Sequence, residues 1–283
     1  MAKILDGKQV VAALNEKLSE EVRLLKEKNI MPTLAIVRVG ERGDDVAYEK
    51  GAIKRCEKIG VAVKCFALPQ DAAQQDLIDV IESINNDDAV HGCLLFRPLP
   101  KHMDDNTVRN ALSPAKDVDG ITDGSLAGVF SGVKTGFPPC TPQACMEILD
   151  YFNIDATGKQ AVVIGRSLVV GKPSAMMLIQ RNATVTICHT KTVDMPGVCR
   201  KGDILIVAAG RAGIVGKDFF REGQIVIDVG INVDENGNLC GDANFAEAEP
   251  IVEAITPVPG GVGTVTTSVL VKQVVEAAKR ARK

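Results

Sequence analysis

Apolar positions along the first hundred residues follow two spacings. Residues 8–28 place apolar side chains at intervals of three and four, which predicts an amphipathic helix. Short continuous apolar runs then alternate with further helical patterns. These segments lie at 33–39, 45–59, 61–68, 72–84 and 89–96. Continuous runs predict strands buried on both faces, and the helices between them predict right-handed crossovers between parallel strands.

The rhythm stops over 97–140, where proline and glycine predict functional loops and a domain junction with at most two short helices. A helix is expected from Thr141, as its N-cap, to Phe152. The α/β pattern then resumes. Its predicted segments are strands at 160–164, 183–188, 203–208 and 224–229, a helix at 172–180, and a last helix at about 266–282. The chain is therefore expected to be α/β, with two lobes and a cleft between them.

Composition narrows the class of protein. Hydrophobic residues make up 46% of the 283 residues, aromatic residues only 4%, and the formal net charge is −3. These values exclude a disordered chain and a coiled coil, and they argue against nucleic acid as a partner, which would need a basic surface. No apolar run is long enough to span a membrane, so no membrane association is expected.

Cysteine usage predicts a reduced, cytoplasmic protein. None of the 8 cysteines forms a C-x-x-C pair, and the 3 histidines give no zinc-ligand spacing, so no metal site is expected. Each cysteine is interpreted as a small core residue rather than a nucleophile, because none has a local activating pattern.

A candidate nucleotide loop follows the predicted strand at 160–164. Gly165, Ser167 and Gly171 lie between that strand and the start of a helix, where a Rossmann fold holds a pyrophosphate against backbone N–H groups. The spacing is not G-x-G-x-x-G, because Ser167 stands where the second glycine would be. An ordinary tight turn remains an equal alternative from these residues alone.

The next strand ends in Cys188-His189-Thr190-Lys191, where many NAD enzymes carry an acid for the ribose 2′-hydroxyl. With no carboxylate there, Arg166 and Lys191 are candidates to meet a 2′-phosphate, and Thr190 supplies a hydroxyl. NADP is therefore preferred as cofactor, with NAD possible. A solvated loop charge is the alternative interpretation of Lys191.

Six stretches resemble the methylenetetrahydrofolate dehydrogenase/cyclohydrolase family of one-carbon metabolism over the whole chain. They are Ile4–Lys8, Pro98–Pro100, Lys116–Gly120, Gly165–Ser167 with Val170-Gly171, Asp228–Asn232 and Thr256–Gly263. The resemblance implies an N-terminal folate-binding domain at 1–120 and a Rossmann-type NAD(P)-binding domain at 121–283. The last helix would pack back on the first domain. The resemblance also implies a tetrahydrofolate derivative as substrate and a homodimer.

The family roles fall on specific residues. Asp119 resembles the acid that binds the pterin, a task that suits a carboxylate because the pterin edge presents paired N–H donors. Tyr48 resembles the tyrosine that packs on the folate. Without the resemblance, Asp119 would be interpreted as a turn residue and Tyr48 as a core residue. The positions that match the cofactor site are Gly165, Arg166, Ser167, Thr190 and Ile231. The loop positions that match the folate and cofactor contacts are Pro259, Gly260 and Gly261.

Two positions depart from the family pattern. The family helix reads Tyr-x-x-x-Lys-x-Lys and its first lysine drives the cyclohydrolase step, but that position is Ala52 here. The glutamine that accompanies this lysine is replaced by Phe96. Lys50 and Lys54 each lie two positions from Ala52, which corresponds to about 200° around a helix. Neither lysine therefore shares the helix face on which Tyr48 and Ala52 lie.

The sequence thus predicts a dehydrogenase that oxidises methylenetetrahydrofolate with NADP and has weak or no cyclohydrolase activity. Two alternatives stay open. The first is a bifunctional enzyme in which Lys54 or a water replaces the lost lysine. The second, of another class, is a non-catalytic protein that binds folate or nucleotide.

Overall fold

The computed structural model describes residues 1–281. Within them the strands are β1 Lys3–Ile4, β2 Thr33–Val39, β3 Ala62–Leu68, β4 Gly92–Leu95, β5 Gln160–Ile164, β6 Thr184–Cys188, β7 Ile204–Val207, β8 Ile225–Asp228, β9 Asn232–Val233, β10 Leu239–Cys240 and β11 Ala254–Ile255. The helices are α1 Gly7–Glu27, α2 Gly43–Ile59, α3 Gln74–Asn86, α4 Asp105–Ala111, α5 Asp123–Ser131, α6 Cys140–Tyr151, α7 Gly171–Ile179, α8 Met195–Cys199, α9 Phe245–Ala248 and α10 Val262–Arg280. Lys217–Phe219 forms a 3-10 turn.

A six-stranded parallel sheet in the order β1-β11-β8-β7-β5-β6 forms the first unit. Its central strands are aliphatic and buried on both faces, as the continuous apolar runs predict; Val163, Leu205 and Val226 have essentially no exposed surface. Because all these strands run in one direction, the loops after their carboxyl ends lie along a single edge. That edge carries Gly165 and Thr190.

A three-stranded parallel sheet in the order β3-β2-β4 forms the centre of the second unit. Val37 and Leu95 pack with Leu77 and Ile81 of α3 in one buried cluster. The segment after β4 adds the two short helices α4 and α5, which matches the expectation for 97–140.

The two compact units divide the chain differently from the expected boundary at residue 120. The first unit contains Met1–Ala12 and Thr141–Thr266, and the second contains Ala13–Cys140 and the chain from Thr267 onward. The N-terminus belongs to the first unit because β1 pairs with β11, a pairing that no local pattern reveals. Residues 121–140 belong to the second unit, where Arg280 of α10 donates to the carbonyl of Gly136.

The starts of α6 and α10 also differ from expectation. Helix α6 begins at Cys140, so Thr141 is a helical residue and not the N-cap. Pro142 fits there because the first backbone N–H groups of a helix have no partner within the helix. Helix α10 begins at Val262, inside the glycine-rich stretch, and its expected end at 282 lies outside the described residues.

Candidate active site

Helix α2 presents Tyr48 with its ring partly open and its hydroxyl end enclosed. The residue is 37% exposed, and its ring meets Phe96 edge to face at 5.9 Å between centroids. The hydroxyl shares a hydrogen bond with Thr267, and burial, followed by the nearby Asp119 carboxylate, raises the pKa of Tyr48. The ring is therefore fixed at both its edge and its tip, and it keeps open surface on which a flat ligand can pack.

The two departures from the family pattern lie in an apolar part of this region. Ala52, one helical turn after Tyr48, has no exposed surface, and Phe96 is 9% exposed. Lys50 and Lys54 are both exposed, so neither shares the buried face of α2. This face of the helix therefore offers no amine beside Tyr48.

Asp119 is held at the N-terminus of α6. Its carboxylate lies within hydrogen-bond reach of the thiol and the backbone N–H of Cys140, the first residue of that helix. Burial raises the pKa of Asp119 to about 6; the nearby Asp117 acts in the same direction, while the Cys140 bonds and Arg97 oppose it. Above pH 7 the group is mainly ionised and can accept two N–H donors.

Arg97 is a cation that acts on Asp119. Its guanidinium forms a two-pronged ion pair with Asp105, with 2.6 Å between Nε and Oδ1. This pairing raises the pKa of Arg97, to which Asp119 also contributes. The guanidinium is therefore anchored from one side and acts on Asp119 through space.

The stretch around Asp119 is rigid because its neighbours serve structural roles. The Nζ of Lys116 donates to the carbonyls of Ile84 and Asp87, both at 2.7 Å, and so caps the end of α3. Asp117 is fully buried and accepts the N–H of Thr122 at 2.8 Å. Of the two carboxylates in this motif, Asp119 is the one not used to hold the backbone turn.

The candidate nucleotide loop in the first unit is shaped by contacts that exclude side chains. Gly165 has φ +125°, and a Cβ on it would lie 2.3 Å from the carbonyl oxygen of Ala208. A Cβ on Gly171 would lie 2.2 Å from the carbonyl oxygen of Gly165. Ser167 accepts the N–H of Val170 at 3.1 Å, which closes the turn before α7. The loop therefore brings bare backbone to a helix N-terminus, the geometry that fits a pyrophosphate.

The end of β6 lies beside this loop, since Ile164 pairs with Cys188. Thr190 and Lys191 follow on the surface, and Arg166 is exposed on the neighbouring loop. The N–H of Lys191 donates to Nδ1 of His189 at 3.1 Å, which orders the backbone of the turn. The edge thus combines two cations and a hydroxyl with no acid in the turn, a set that suits a 2′-phosphate.

Ile231 is placed by two buried carboxylates, one of which the sequence analysis missed. Asp228 accepts the N–H of Gly230 at 2.9 Å, and Asp242 accepts that of Gly210 at 2.7 Å. Asp242 is fully buried, and Ile231 remains 66% exposed at the same edge. The signal for Asp228 was its place in a family stretch, whereas Asp242 lies in no stretch that the sequence analysis recognised.

The loop with Pro259, Gly260 and Gly261 is anchored by the N-terminal stretch of the chain. The N–H of Gly7 donates to the carbonyl of Gly260 at 2.9 Å, and a Cβ on Gly7 would lie 2.4 Å from the carbonyl oxygen of Gly261. Gly260 has φ +109°, which favours glycine. This approach explains the glycine in the stretch Ile4–Lys8.

The predicted site residues thus form two groups. The first unit brings five predicted cofactor positions and the 259–261 loop to loops that follow strands of one sheet. The second unit brings Tyr48, Phe96 and Asp119 together, with Ala52 on the same helix face. Residues 1–281 contain no group of three or more potential ligands that could hold a metal ion. Over the same residues, no helix has the length and apolarity needed to cross a membrane.

The glycine loop on a parallel sheet defines a dinucleotide-binding unit of the Rossmann class, joined to a second α/β unit. Two family models match the chain. Residues 5–119 match the catalytic domain of tetrahydrofolate dehydrogenase/cyclohydrolase, and residues 139–282 match the NAD(P)-binding domain of the same enzymes. The chain belongs to the tetrahydrofolate dehydrogenase/cyclohydrolase family.

Individual relatives agree with this assignment. A protein of Clostridium botulinum (strain Langeland) named bifunctional protein FolD is 49% identical over 99% of both chains. The crystal structure of the bifunctional enzyme FolD from Campylobacter jejuni superposes with a TM-score of 0.96 at 40% identity, covering 99% of both chains. The Trypanosoma brucei enzyme, solved with NADP and an inhibitor, has a TM-score of 0.92 at 33% identity over 100% of this chain and 99% of its own.

Proposed function

We propose that this protein is an NADP-dependent methylenetetrahydrofolate dehydrogenase that oxidises 5,10-methylenetetrahydrofolate to 5,10-methenyltetrahydrofolate. The observation that carries the proposal is the intact glycine loop, where Gly165 and Gly171 leave no room for a Cβ. The family relationship supplies the substrate class. When bound, the nicotinamide accepts the hydride, so the protein needs mainly to hold two rings in register.

The chain's own residues would bind and orient the folate. The carboxylate of Asp119 would accept the paired N–H donors of the pterin, and the ring of Tyr48 would pack on the folate. The loop at Pro259, Gly260 and Gly261 would bring backbone groups to the substrate and the cofactor. None of these tasks requires a side chain that transfers a proton.

For the cofactor, Gly165 and Ser167 would hold the pyrophosphate at the N-terminus of α7. Arg166, Thr190 and Lys191 would meet the 2′-phosphate, which favours NADP over NAD. Comparing kcat/KM for NADP and NAD with the same folate tests this preference. A higher value for NAD would contradict it.

We further propose that cyclohydrolase activity is weak or absent. Hydrolysis of the methenyl carbon needs a titratable group to handle protons as water attacks, and Ala52 cannot provide one. Phe96 packs beside Tyr48 and cannot form the hydrogen bonds of the glutamine in the family pattern. A buried amide that lost its lysine partner would cost about 1–3 kcal/mol, so the two replacements suit each other.

The decay of methenyltetrahydrofolate absorbance, with and without enzyme, tests this part of the proposal. We expect little or no acceleration by the wild-type protein, alongside clear NADPH formation from methylenetetrahydrofolate. The double variant Ala52→Lys with Phe96→Gln should gain hydrolysis, while Ala52→Lys alone should gain less, because its buried ammonium would lack a partner. Clear hydrolysis by the wild type would overturn the proposal.

A bifunctional enzyme is the second candidate, favoured by the name of the Clostridium botulinum relative. In that case Lys54 or a water would replace the missing lysine. Hydrolysis by the wild type would establish this candidate, and the variant Lys54→Ala would then show which group is used, because Lys54 is exposed and its removal should not disturb the fold. Loss of hydrolysis in this variant would assign the step to Lys54, and unchanged hydrolysis would assign it to a water.

The family resemblance is also the ground for proposing a homodimer that works in the cytoplasm. Sedimentation equilibrium of the purified protein tests the first point, with twice the chain mass expected. A species of single chain mass at micromolar concentration would contradict it.

A further inference from the structure

We propose that Gln273 of α10 is a positioning residue for Asp119. The proposal rests on the folate-binding role proposed above for Asp119. Gln273 is 5% exposed, and its Nε2 donates to the carbonyl of Val118 at 2.7 Å and to that of Pro138 at 3.1 Å. It also approaches the sulfur of Cys140 at 3.3 Å. One amide thus touches the residue before Asp119 and the residue that donates to Asp119.

These contacts decide where the thiol proton of Cys140 goes. That proton has two acceptors in reach, the carbonyl of Val118 with 3.2 Å between sulfur and oxygen, and the carboxylate of Asp119. Gln273 donates to the same Val118 carbonyl at the shorter distance of 2.7 Å, and its Nε2 also lies 3.3 Å from the sulfur. Because the amide is the stronger and closer donor to Val118, it weakens the hold of that carbonyl on the thiol proton and favours its donation to Asp119.

Removal of the amide would reverse this arrangement. The buried carbonyl of Val118 would lose its amide donor, and the thiol of Cys140 would donate to it instead. Asp119 would then lose a hydrogen bond that stabilises its ionised form, so its pKa would rise. The other charged or titratable groups that act on Asp119 are Asp117, Arg97 and Tyr48.

The variant Gln273→Met tests the proposal, because methionine keeps the shape of the side chain and removes both N–H donors. We expect the KM for methylenetetrahydrofolate to rise about tenfold, the result of losing one or two buried hydrogen bonds at the site, with the KM for NADP within twofold of wild type. The acid limb of the kcat/KM profile for the folate should also move to higher pH. Equilibrium binding of tetrahydrofolate should weaken by a similar factor.

Val274→Ala is the matched control. Val274 is the next buried residue on α10, and its side chain packs near Gly92 of β4, as that of Val118 does, but it has no N–H group to donate. This variant should lower the melting temperature without changing the folate KM or the pH profile. If Gln273→Met behaves in the same way as Val274→Ala, Gln273 only stabilises the fold and the proposal is wrong.

A second variant covers the case in which Gln273→Met does not fold. Gln273→Asn keeps the amide but is one methylene shorter, so it cannot reach the three acceptors together. A folded Gln273→Asn protein with wild-type folate KM and pH profile would overturn the proposal. If the wild type itself gives no turnover, the proposed function fails, and the binding of tetrahydrofolate to the same variants still decides the role of Gln273.

Discussion

The two candidate regions of this protein differ in the groups that form them: one consists of backbone and the other of side chains. At the edge of the six-stranded sheet, the loop around Gly165 and Gly171 presents backbone, with contacts that exclude a Cβ. In the second unit, the site around Tyr48 and Asp119 consists of side chains, with Phe96 packed against the tyrosine. The first region depends on the path of the main chain, and the second on which side chains it carries.

The difference explains why substitutions affect the two regions unequally. Ser167 replaces the second glycine of the usual pattern, yet the turn closes through its hydroxyl and the backbone stays available. In the second unit, Ala52 and Phe96 have side chains that cannot take part in proton transfer. A binding site made of main chain tolerates such changes, whereas acid–base chemistry depends on individual side chains.

The largest effect is expected for Asp119→Asn. This substitution changes the side-chain region around Tyr48 and Asp119 and leaves the backbone region, the loop around Gly165 and Gly171, intact. The asparagine presents an N–H₂ group toward the donors of the pterin, so kcat/KM for the folate should fall by about 100-fold or more, the equivalent of two charge-assisted hydrogen bonds. The KM for NADP should stay unchanged. Steady-state kinetics with each substrate varied in turn measures both.

Asp88→Asn provides the control for that prediction. Asp88 is an exposed carboxylate in the turn before β4, and its neutralisation should leave both KM values as they are. An Asp119→Asn protein that binds the folate as well as this control would show that Asp119 is only a turn residue.

The backbone region can be broken with Gly165→Ala. The added Cβ would meet the carbonyl of Ala208 at 2.3 Å and would strain the backbone at φ +125°. We expect the KM for NADP to rise by about tenfold to 100-fold as the loop shifts away from the pyrophosphate. Titration with NADPH, followed by the fluorescence of its reduced nicotinamide, measures the same loss without turnover.

Gly158→Ala is matched to it, because Gly158 also has a positive φ, +71°, but has no atom within 4 Å of an added Cβ. It should cost about 1 kcal/mol of stability and leave the binding of NADP unchanged. Equal losses of NADP affinity in the two variants would mean that general backbone strain, and not the shape of the loop, is responsible.

The pH dependence of kcat/KM for the folate and of NADP binding distinguishes the two regions in the wild-type protein. In the proposed function the ionised carboxylate of Asp119 binds the folate, and the pKa of this group is raised to about 6, so kcat/KM for the folate should fall about tenfold per pH unit below that value. NADP binding should not follow this limb. A profile for the folate that stays flat down to pH 5 would contradict the assignment.

The ionisation of Asp119 should affect the free energy of unfolding in the opposite direction to folate binding. Because burial raises the pKa of Asp119 above its usual 3.8, the folded state favours the protonated form. The contribution of Asp119 to the free energy of unfolding is therefore greatest below pH 3.8 and is lost as the pH rises through about 6. Urea unfolding of wild type and Asp119→Asn between pH 4 and 8 isolates this contribution.

The smallest effect is expected for Lys191→Ala, which removes one exposed cation from the cofactor edge. One lost phosphate contact at the surface should raise the KM for NADP by about fivefold and leave that for NAD unchanged. Equal changes for the two cofactors would show that Lys191 is a solvated loop charge.

Much of the architecture is visible in the sequence because it depends on local patterns. The run Thr33–Val39 and the run Gln160–Ile164 were both predicted as strands and have those bounds in the structure. The start of α6 was misplaced by two residues, because Thr141-Pro142 has the form of an N-cap and a first helical residue while the helix already begins at Cys140. The difference matters, since the N–H of Cys140 is a donor to Asp119.

The sequence by itself determined the identity of the groups available for chemistry: a carboxylate at Asp119, an aromatic ring at Tyr48, and no amine at Ala52. The tertiary structure decided their surroundings. Gln273 reaches Val118 across 155 positions of chain, and no periodicity encodes that meeting. Burial and pKa depend on which distant segments pack together, so a sequence can name the titrating group while its neighbours set the pH at which it works.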